Sequence, residues 1–267
     1  MISKKITINL QKKDDIFHLE PIGDPHFGHA GFDKKLYVER IASIAKEDDR
    51  YTIFMGDQLD AITVYDKRFN PDMSLEHDVD NQRKEWQELT QPLIDAHKSS
   101  KDKNKIFGLL HGNHESKIRE TSRAYIENHF CTPNEITFLG YKAYIALEVK
   151  YNKKVLAQWS IMAMHGSGGG MPERMMADMK IDNYMDVFLC GHVHQKRYIP
   201  GEVYQIDFKT GKVFRRPTAS INTGTFCEFQ VEGTSGYGDT KNKVSGTPIG
   251  TATLSFDAVN EKITGHI

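Results

Sequence analysis

Tyr51-Thr52-Ile53-Phe54-Met55-Gly56-Asp57-Gln58-Leu59-Asp60 is the stretch that decides how this chain folds. Residues 51–55 are a short apolar, β-rich run, as in a strand. The glycine that follows allows a sharp turn, and the turn presents a carboxylate. The same order recurs downstream. Residues 106–110 lead into Gly112-Asn113-His114-Glu115, residues 159–164 into His165-Gly166, and residues 187–190 into Gly191-His192-Val193-His194. Upstream, the more polar run 16–22 leads into Asp24-Pro25-His26. Ends of strands on a rigid sheet are where α/β folds gather functional groups, so residues far apart in sequence can meet there without long loops.

The side chains in these five clusters are carboxylate, carboxamide and imidazole, with no thiolate. That set suits hydrolytic divalent ions such as manganese, iron, zinc or nickel rather than a structural thiolate zinc site. Alone, each cluster has an ordinary explanation: an Asp-x-His arises by chance, and a Gly-Asp at a strand end is often only a turn. Twelve histidines also make local pairs such as His192/His194 common. Independent accidents do not produce all five after strand-like runs.

The rest of the chain reads more simply. Residues 6–10 alternate like an opening strand, and residues 34–45 are helix-like. Within residues 74–97, Val79, Trp86, Leu89 and Leu93 recur near helical spacing, so a mostly helical insert is expected around 64–105, ending in a Lys-rich loop at 98–105. The part from 200 to 267 is expected to be β-rich. Residues 204–208 and 212–216 flank Lys209-Thr210-Gly211 as a hairpin, 233–246 form a mobile loop, and 251–256 and 262–267 are closing strands. No repeat or linker divides the 267 residues, which are expected to form one domain.

A net charge of −1 gives no general attraction to nucleic acid or acidic membranes. Cys131, Cys190 and Cys227 are odd in number and unpaired in spacing, as in a reducing compartment. The start, Met1-Ile2-Ser3-Lys4-Lys5, has no apolar signal core, and no apolar run is long enough to span a bilayer, so a cytoplasmic protein without membrane association is expected.

Asp-x-His, Gly-Asp-x-x-Asp, Gly-Asn-His-Glu, His and Gly-His-x-His, in that order from Asp24 to His194, resemble the signature of the calcineurin-like metallophosphoesterase superfamily. The resemblance implies a four-layer α/β/β/α sandwich of two mixed β-sheets flanked by helices. It implies that Asp24, His26 and His194 hold one divalent ion, that Asn113, His165 and His192 hold the other, and that Asp57 bridges them. Manganese is the ion expected. His114 would face the substrate as general acid, Asp60 would accept from its other ring nitrogen, and Glu115 would support the ligands from behind. The activity implied is hydrolysis of a small phosphoester or nucleotide, diester or monoester, by a metal-bridging hydroxide.

Departures from the superfamily's patterns narrow the substrate. Ala61 follows Asp60 where its protein Ser/Thr phosphatases carry arginine. His114 stands where its lipid A precursor hydrolases carry arginine, and Gln58 where its purple acid phosphatases carry a tyrosine ligand. The alternative is a DNA nuclease of the recombination-repair type, since Asp24-Pro25-His26-Phe27-Gly28 is similar to that group's first motif. The pairs Lys196-Arg197 and Arg215-Arg216 would then contact phosphates. Those nucleases usually add a DNA-binding domain, so nucleic acid is not the favoured substrate. A non-catalytic scaffold is the least favoured reading, because such members typically lose the histidine equivalent to His114.

Other features stay secondary. The run 166–170 is either a backbone cradle for phosphate or a flexible link into a helix beginning near Pro172. Met171, Met175, Met176 and Met179 are expected in packing rather than in a cofactor site. Arg174 is a lesser candidate for phosphate contact. His29, His111 and His129 lie outside the signature and are expected in ordinary packing or solvent.

Overall fold

Val187 and Leu189 enter one apolar layer while Phe188 and Cys190 enter another. A strand whose alternate residues face two different cores must lie in the interior of a layered structure. The computed structural model describes residues 2–101, 103–121, 125–167, 172–181, 183–228, 231 and 248–267.

Fourteen strands are described: β1 (Ile2–Asn9), β2 (Ile16–Leu19), β3 (Arg50–Phe54), β4 (Ile106–Leu110), β5 (Phe138–Gly140), β6 (Lys142–Tyr151), β7 (Lys154–Met164), β8 (Val187–Cys190), β9 (Arg197–Ile206), β10 (Val213–Asn222), β11 (Gly224–Thr225), β12 (Gly250–Thr251), β13 (Thr253–Asp257) and β14 (Lys262–His266). The α-helices are α1 (Lys34–Lys46), α2 (Val79–Ser99), α3 (Asn113–Thr121) and α4 (Pro172–Ile181). Twelve of these strands build one six-stranded sheet in the order β1-β6-β7-β8-β10-β9 and another in the order β14-β13-β2-β3-β4-β5, and β11 and β12 pair as a two-stranded sheet. Both sheets are mixed. In the second, β2, β3 and β4 run parallel while β13 pairs antiparallel with β2; in the first, β7, β8 and β10 run parallel.

The central core lies between the sheets. It joins Ile6, Leu147, Trp159, Val187 and Ile221 of the first to Phe17, Ile53, Phe107, Leu254 and Phe256 of the second. Behind the second sheet, Tyr37, Ile41 and Ile44 of α1 and Trp86, Leu93 and Ile94 of α2 pack against Phe54 and Ile106. Behind the first, Met176 and Met179 of α4 cover Met162, Phe188 and Cys190. This is the expected α/β/β/α order. Burying each large apolar side chain contributes roughly 1.5–3 kcal/mol.

Helix α1 begins where the Asp33 carboxylate accepts from Leu36 N at 2.9 Å, and its buried residues recur at spacings of three and four. Helix α2 is capped by Asp78 and occupies part of the expected insert, while residues 63–78 run as turns and irregular backbone. From α2 the buried Gln82 accepts from Ala61 N at 2.9 Å and donates to Glu76 O at 2.7 Å, tying the helix to the turn that follows Asp60.

Several expectations need correction. The α2 helix extends to Ser99, so the loop before β4 is shorter than expected. The hairpin around Gly211 is much longer, pairing Arg197–Ile206 with Val213–Asn222. The β-rich C-terminal part divides between the sheets: β9 and β10 extend the first, and β13 and β14 extend the second. Strand β6 and helix α3 had no counterpart in the sequence reading. The expected mobile loop at 233–246 lies outside the described residues, as do Gly168, Gly169, Gly170 and Met171. The three cysteines are free and buried, and among the described residues no helix is long and apolar enough to cross a membrane.

Candidate metal centre

Each of the five clusters leaves the carboxyl end of a strand, or its continuation, and backbone hydrogen bonds lace the turns together. After β2 and β3, Asp24 N donates to Gly56 O at 3.0 Å, His26 N to Asp57 O at 3.1 Å and Phe27 N to Gln58 O at 2.9 Å. After β7 and β8, Gly191 N donates to His165 O at 2.9 Å. Thr225 Oγ1 of β11 donates to Asp24 O at 2.6 Å.

The turns are tight enough to force unusual backbone. Asp24 (φ 55°), His26 (φ 51°), Asp57 (φ 50°), His192 (φ 70°) and His194 (φ 60°) all occupy the left-handed region. For a residue with a Cβ this costs roughly 1–2 kcal/mol, and such strain collects at functional sites. Gly112 is required for close approach, since a Cβ there would lie 2.0 Å from Asp57 Oδ1.

These turns bring six of the expected ligands, together with His114, into three overlapping groups: Asp24, His26 and His194; Asp57, His165 and His192; and His26, Asp57 and His114. Within each group the candidate donor atoms lie within 4.8 Å of one another. In the first, His26 Nε2 and His194 Nε2 are 3.0 Å apart, and Asp24 Oδ1 is 3.2 Å from His194 Nε2 and 4.0 Å from His26 Nε2. In the second, His165 Nε2 lies 3.2 Å from both Asp57 Oδ2 and Asn113 Oδ1. Asp57 thus stands in both the second and third groups, between the two sets.

Support from behind is uneven. His165 Nδ1 donates to Met55 O at 2.8 Å, which leaves Nε2 facing the centre. Asp57 Oδ1 accepts from His114 N at 2.8 Å, and Asp24 Oδ2 accepts from His192 N at 3.0 Å. The buried Glu115 carboxylate accepts from Asp57 N (2.9 Å), Leu59 N (3.0 Å) and Gly112 N (2.8 Å), so it clasps the second and third turns together. Asp24 Oδ1 and His26 Nδ1, by contrast, are buried and make no hydrogen bond. Buried polar atoms without partners are costly. Asp24 Oδ1 stands beside His194 Nε2 and His26 Nε2, an arrangement that suits a divalent cation, whereas His26 Nδ1 faces Asp60 Oδ1 at 3.6 Å.

The electrostatics follow from this crowding. Burial would raise the Asp57 carboxyl, but the imidazoles around it, His165 foremost, hold it well below the usual range. Burial would lower His165, but the Asp57 charge raises it instead. His26 falls well below an ordinary histidine through burial, with His114 and His194 adding to the effect. Burial and then the neighbouring Asp57 charge push Glu115 up to about 7, against its backbone donors.

Asp60 behaves differently from expectation. His114 Nδ1 donates to the Asp60 backbone carbonyl, while the Asp60 carboxylate oxygen Oδ1 stands 3.6 Å from both His114 Nδ1 and His26 Nδ1. The turn's backbone, not its carboxylate, therefore fixes the imidazole. Burial raises the Asp60 carboxyl.

Three histidines outside the signature are held by local contacts. His29 Nδ1 accepts from Gly31 N at 3.0 Å, His111 stacks on Phe138, and His129 contacts the Tyr125 ring. The arginines offered for nucleic acid are engaged by carboxylates: Arg197 with Glu173 at 3.0 Å, Arg215 with Glu202 at 3.4 Å, and Arg216 with Asp186. One residue was absent from the sequence reading. Arg68 Nη1 lies 3.2 Å from His114 Nε2, and nothing in its sequence surroundings marks it.

No protein-family model matches the chain, and no curated protein sequence matches it. Among solved structures the chain is similar to the crystal structure of a metallophosphoesterase from Sphaerobacter thermophilus, with 13% identity, 94% of this chain and 87% of that chain covered, and a TM-score of 0.36.

Proposed function

We propose that the chain is a metal-dependent phosphoric ester hydrolase of the calcineurin-like type, acting on a small phosphoester or nucleotide. The observation that carries this reading is the convergence of Asp24, His26, Asp57, Asn113, His165, His192 and His194 from five separate turns, with the buried Asp24 Oδ1 left for a cation to satisfy. Asp24, His26 and His194 would hold one divalent ion and Asn113, His165 and His192 a second, with Asp57 shared. Two such ions, manganese first among the alternatives, activate a water and polarise a phosphoryl group.

The protein's own groups prepare the rest. Asp57 offers one carboxylate oxygen toward His165 Nε2, while the other is fixed by His114 N. Asn113 contributes a neutral oxygen, which keeps the centre cationic. His114, anchored through Nδ1 on the Asp60 carbonyl, presents Nε2 to the substrate side. With a proton there, it hydrogen-bonds the phosphoryl group and passes the proton to the leaving oxygen.

The test is hydrolysis of p-nitrophenyl phosphate and its bis-ester by purified protein supplied with manganese, nickel or zinc. Metal-dependent turnover of either supports the reading, and failure on both with metal bound abandons it in favour of a scaffold. Salt-sensitive DNA binding would favour the nuclease reading instead.

A further inference from the structure

Arg68 leaves the irregular segment before α2 and turns back toward His114. Its guanidinium is a three-pronged fork, and two prongs are occupied: Nε donates to Asp66 Oδ1 at 3.0 Å and Nη2 to Asp66 Oδ2 at 2.8 Å. Asp66 Oδ1 also accepts from Arg68 N at 2.9 Å, and Asp66 is itself held in successive turns by Asp66 N to Thr63 O and Phe69 N to Asp66 O, each 2.9 Å. Charge-assisted contacts with Arg68 bring the Asp66 carboxyl to about 2, so the clamp is ionised at neutral pH. The third prong, Nη1, points at His114 Nε2.

That third contact is a poor use of a guanidinium. His114 Nδ1 carries the hydrogen given to the Asp60 carbonyl, so Nε2 meets the cation only as a neutral acceptor. Placed beside the cluster of candidate ligands, Arg68 adds positive charge where, among the described residues, no carboxylate pairs directly with Nη1. An anion entering between Arg68 and His114 would give Nη1 a charged acceptor in place of a neutral one, and Nε2 would join it when it carries the proton required of the general acid. The Arg68 side chain is 35% exposed, open to such an approach.

We propose that Arg68, oriented by Asp66, is a substrate-binding residue that grips a terminal phosphoryl oxygen beside His114 and thereby favours phosphomonoesters over phosphodiesters. This rests on the phosphoesterase reading and names its substrate class. A diester phosphoryl has two non-ester oxygens sharing a single charge. A monoester has three sharing nearly two charges, so it retains an anionic oxygen for a guanidinium lying outside the expected metal ligands. Arg68 binds and orients that oxygen, and Asp66 positions Arg68 without touching substrate.

The experiment uses the full chain loaded with manganese, as wild type, Arg68→Ala, Arg68→Lys and Asp66→Ala. Calorimetry measures binding of inorganic phosphate, elemental analysis measures metal content, and kinetics compares p-nitrophenyl phosphate with its bis-ester. Loss of a charge-assisted contact predicts phosphate binding weaker by roughly tenfold or more in Arg68→Ala, with a similar fall in the monoester-to-diester ratio of kcat/KM. Arg68→Lys restores part of both, Asp66→Ala shows a smaller loss in the same direction, and manganese content stays at the wild-type level. Equal losses on the two esters, or unchanged phosphate binding, overturn the proposal. If wild-type protein cleaves neither ester, the phosphoesterase reading falls by itself, and the phosphate calorimetry still decides the role of Arg68.

Discussion

The two ends of β4 use histidine in opposite ways. At the amino end, His97 closes α2 onto the sheet: its Nδ1 accepts from Ile106 N at 3.1 Å, and its Nε2 donates to Glu135 O at 3.5 Å. Both ring nitrogens are spent on backbone, and the ring is fully buried. At the carboxyl end, His114 spends one nitrogen on the Asp60 carbonyl and turns the other outward toward Arg68, and nearby Asp24 leaves the buried Oδ1 without a hydrogen bond. Where polar atoms are all satisfied by the fold, the residue contributes stability. Where they are left over, the fold has kept them for something it does not contain. Substitutions at the carboxyl end should therefore change chemistry with little change in stability, and those at the amino end should do the reverse.

The largest effect is expected at His114. His114→Ala should slow turnover roughly 10²–10⁴-fold while metal content and melting temperature stay near wild type. A variant with near-normal rates would remove His114 from the chemistry, and one that fails to fold would erase the contrast between the two ends.

Asp57→Asn comes next, because a single atom change strikes the carboxylate that stands between both ligand sets. Supporting residues one step removed cost 10–100-fold in metal affinity, so this ligand should cost at least about 100-fold. Both ions should be affected together in a manganese titration. Loss of one ion with full retention of the other would show that Asp57 is not shared.

Glu115→Gln probes the boundary between the two kinds of residue. Its carboxylate holds three backbone N–H groups, and an amide in its place presents a donor to at least one of them. Unlike the first two substitutions it should register in both measurements, with stability lower by about 1–3 kcal/mol and metal affinity lower by about 10–100-fold. An effect on stability alone would place Glu115 with His97 rather than with the ligands.

This contrast also explains what was legible in the sequence. The five clusters and the strands ahead of them could be read because apolar runs and donor residues are local signals. The α/β/β/α order came from resemblance and matches the layers formed by Phe188, Ile53 and Trp86. Helix α3 could not be read, since Asn113-His114-Glu115-Ser116-Lys117-Ile118 has little apolar periodicity, and it is anchored by tertiary contacts of Glu115. Strand β6 does alternate, with Ala143, Ile145, Leu147 and Val149 in the central core, but no donor cluster at its end draws attention to it. Arg68 was invisible because its reach depends on the turns around Asp66, which no periodicity encodes. The left-handed backbone at His26 and His194 was equally hidden, because nothing in their residue types demands it. Asp60 was misread for a related reason: motif spacing identifies a residue but not whether its side chain or its carbonyl acts.

The smallest effect is expected at the amino end and concerns pH. Burial lowers the pKa of His97 from the ordinary value of 6.5. Below pH 6.5 the unfolded chain gains a proton at this ring while the folded protein does not, so protonation favours unfolding. The contribution of His97 is therefore complete above pH 6.5 and is lost as pH falls toward its lower folded-state pKa. Glutamine can donate and accept much as the neutral ring does but does not titrate. Comparing denaturant midpoints of metal-free wild type and His97→Gln between pH 7.5 and pH 5 isolates this ring from the other buried histidines, which the two proteins share. The wild type should lose more stability across the acidic part of that range, while the variant begins lower at pH 7.5 because glutamine fills the site less well. Parallel pH curves would mean that His97 is not held neutral by its packing, and that the amino end of β4 is no better satisfied than the carboxyl end.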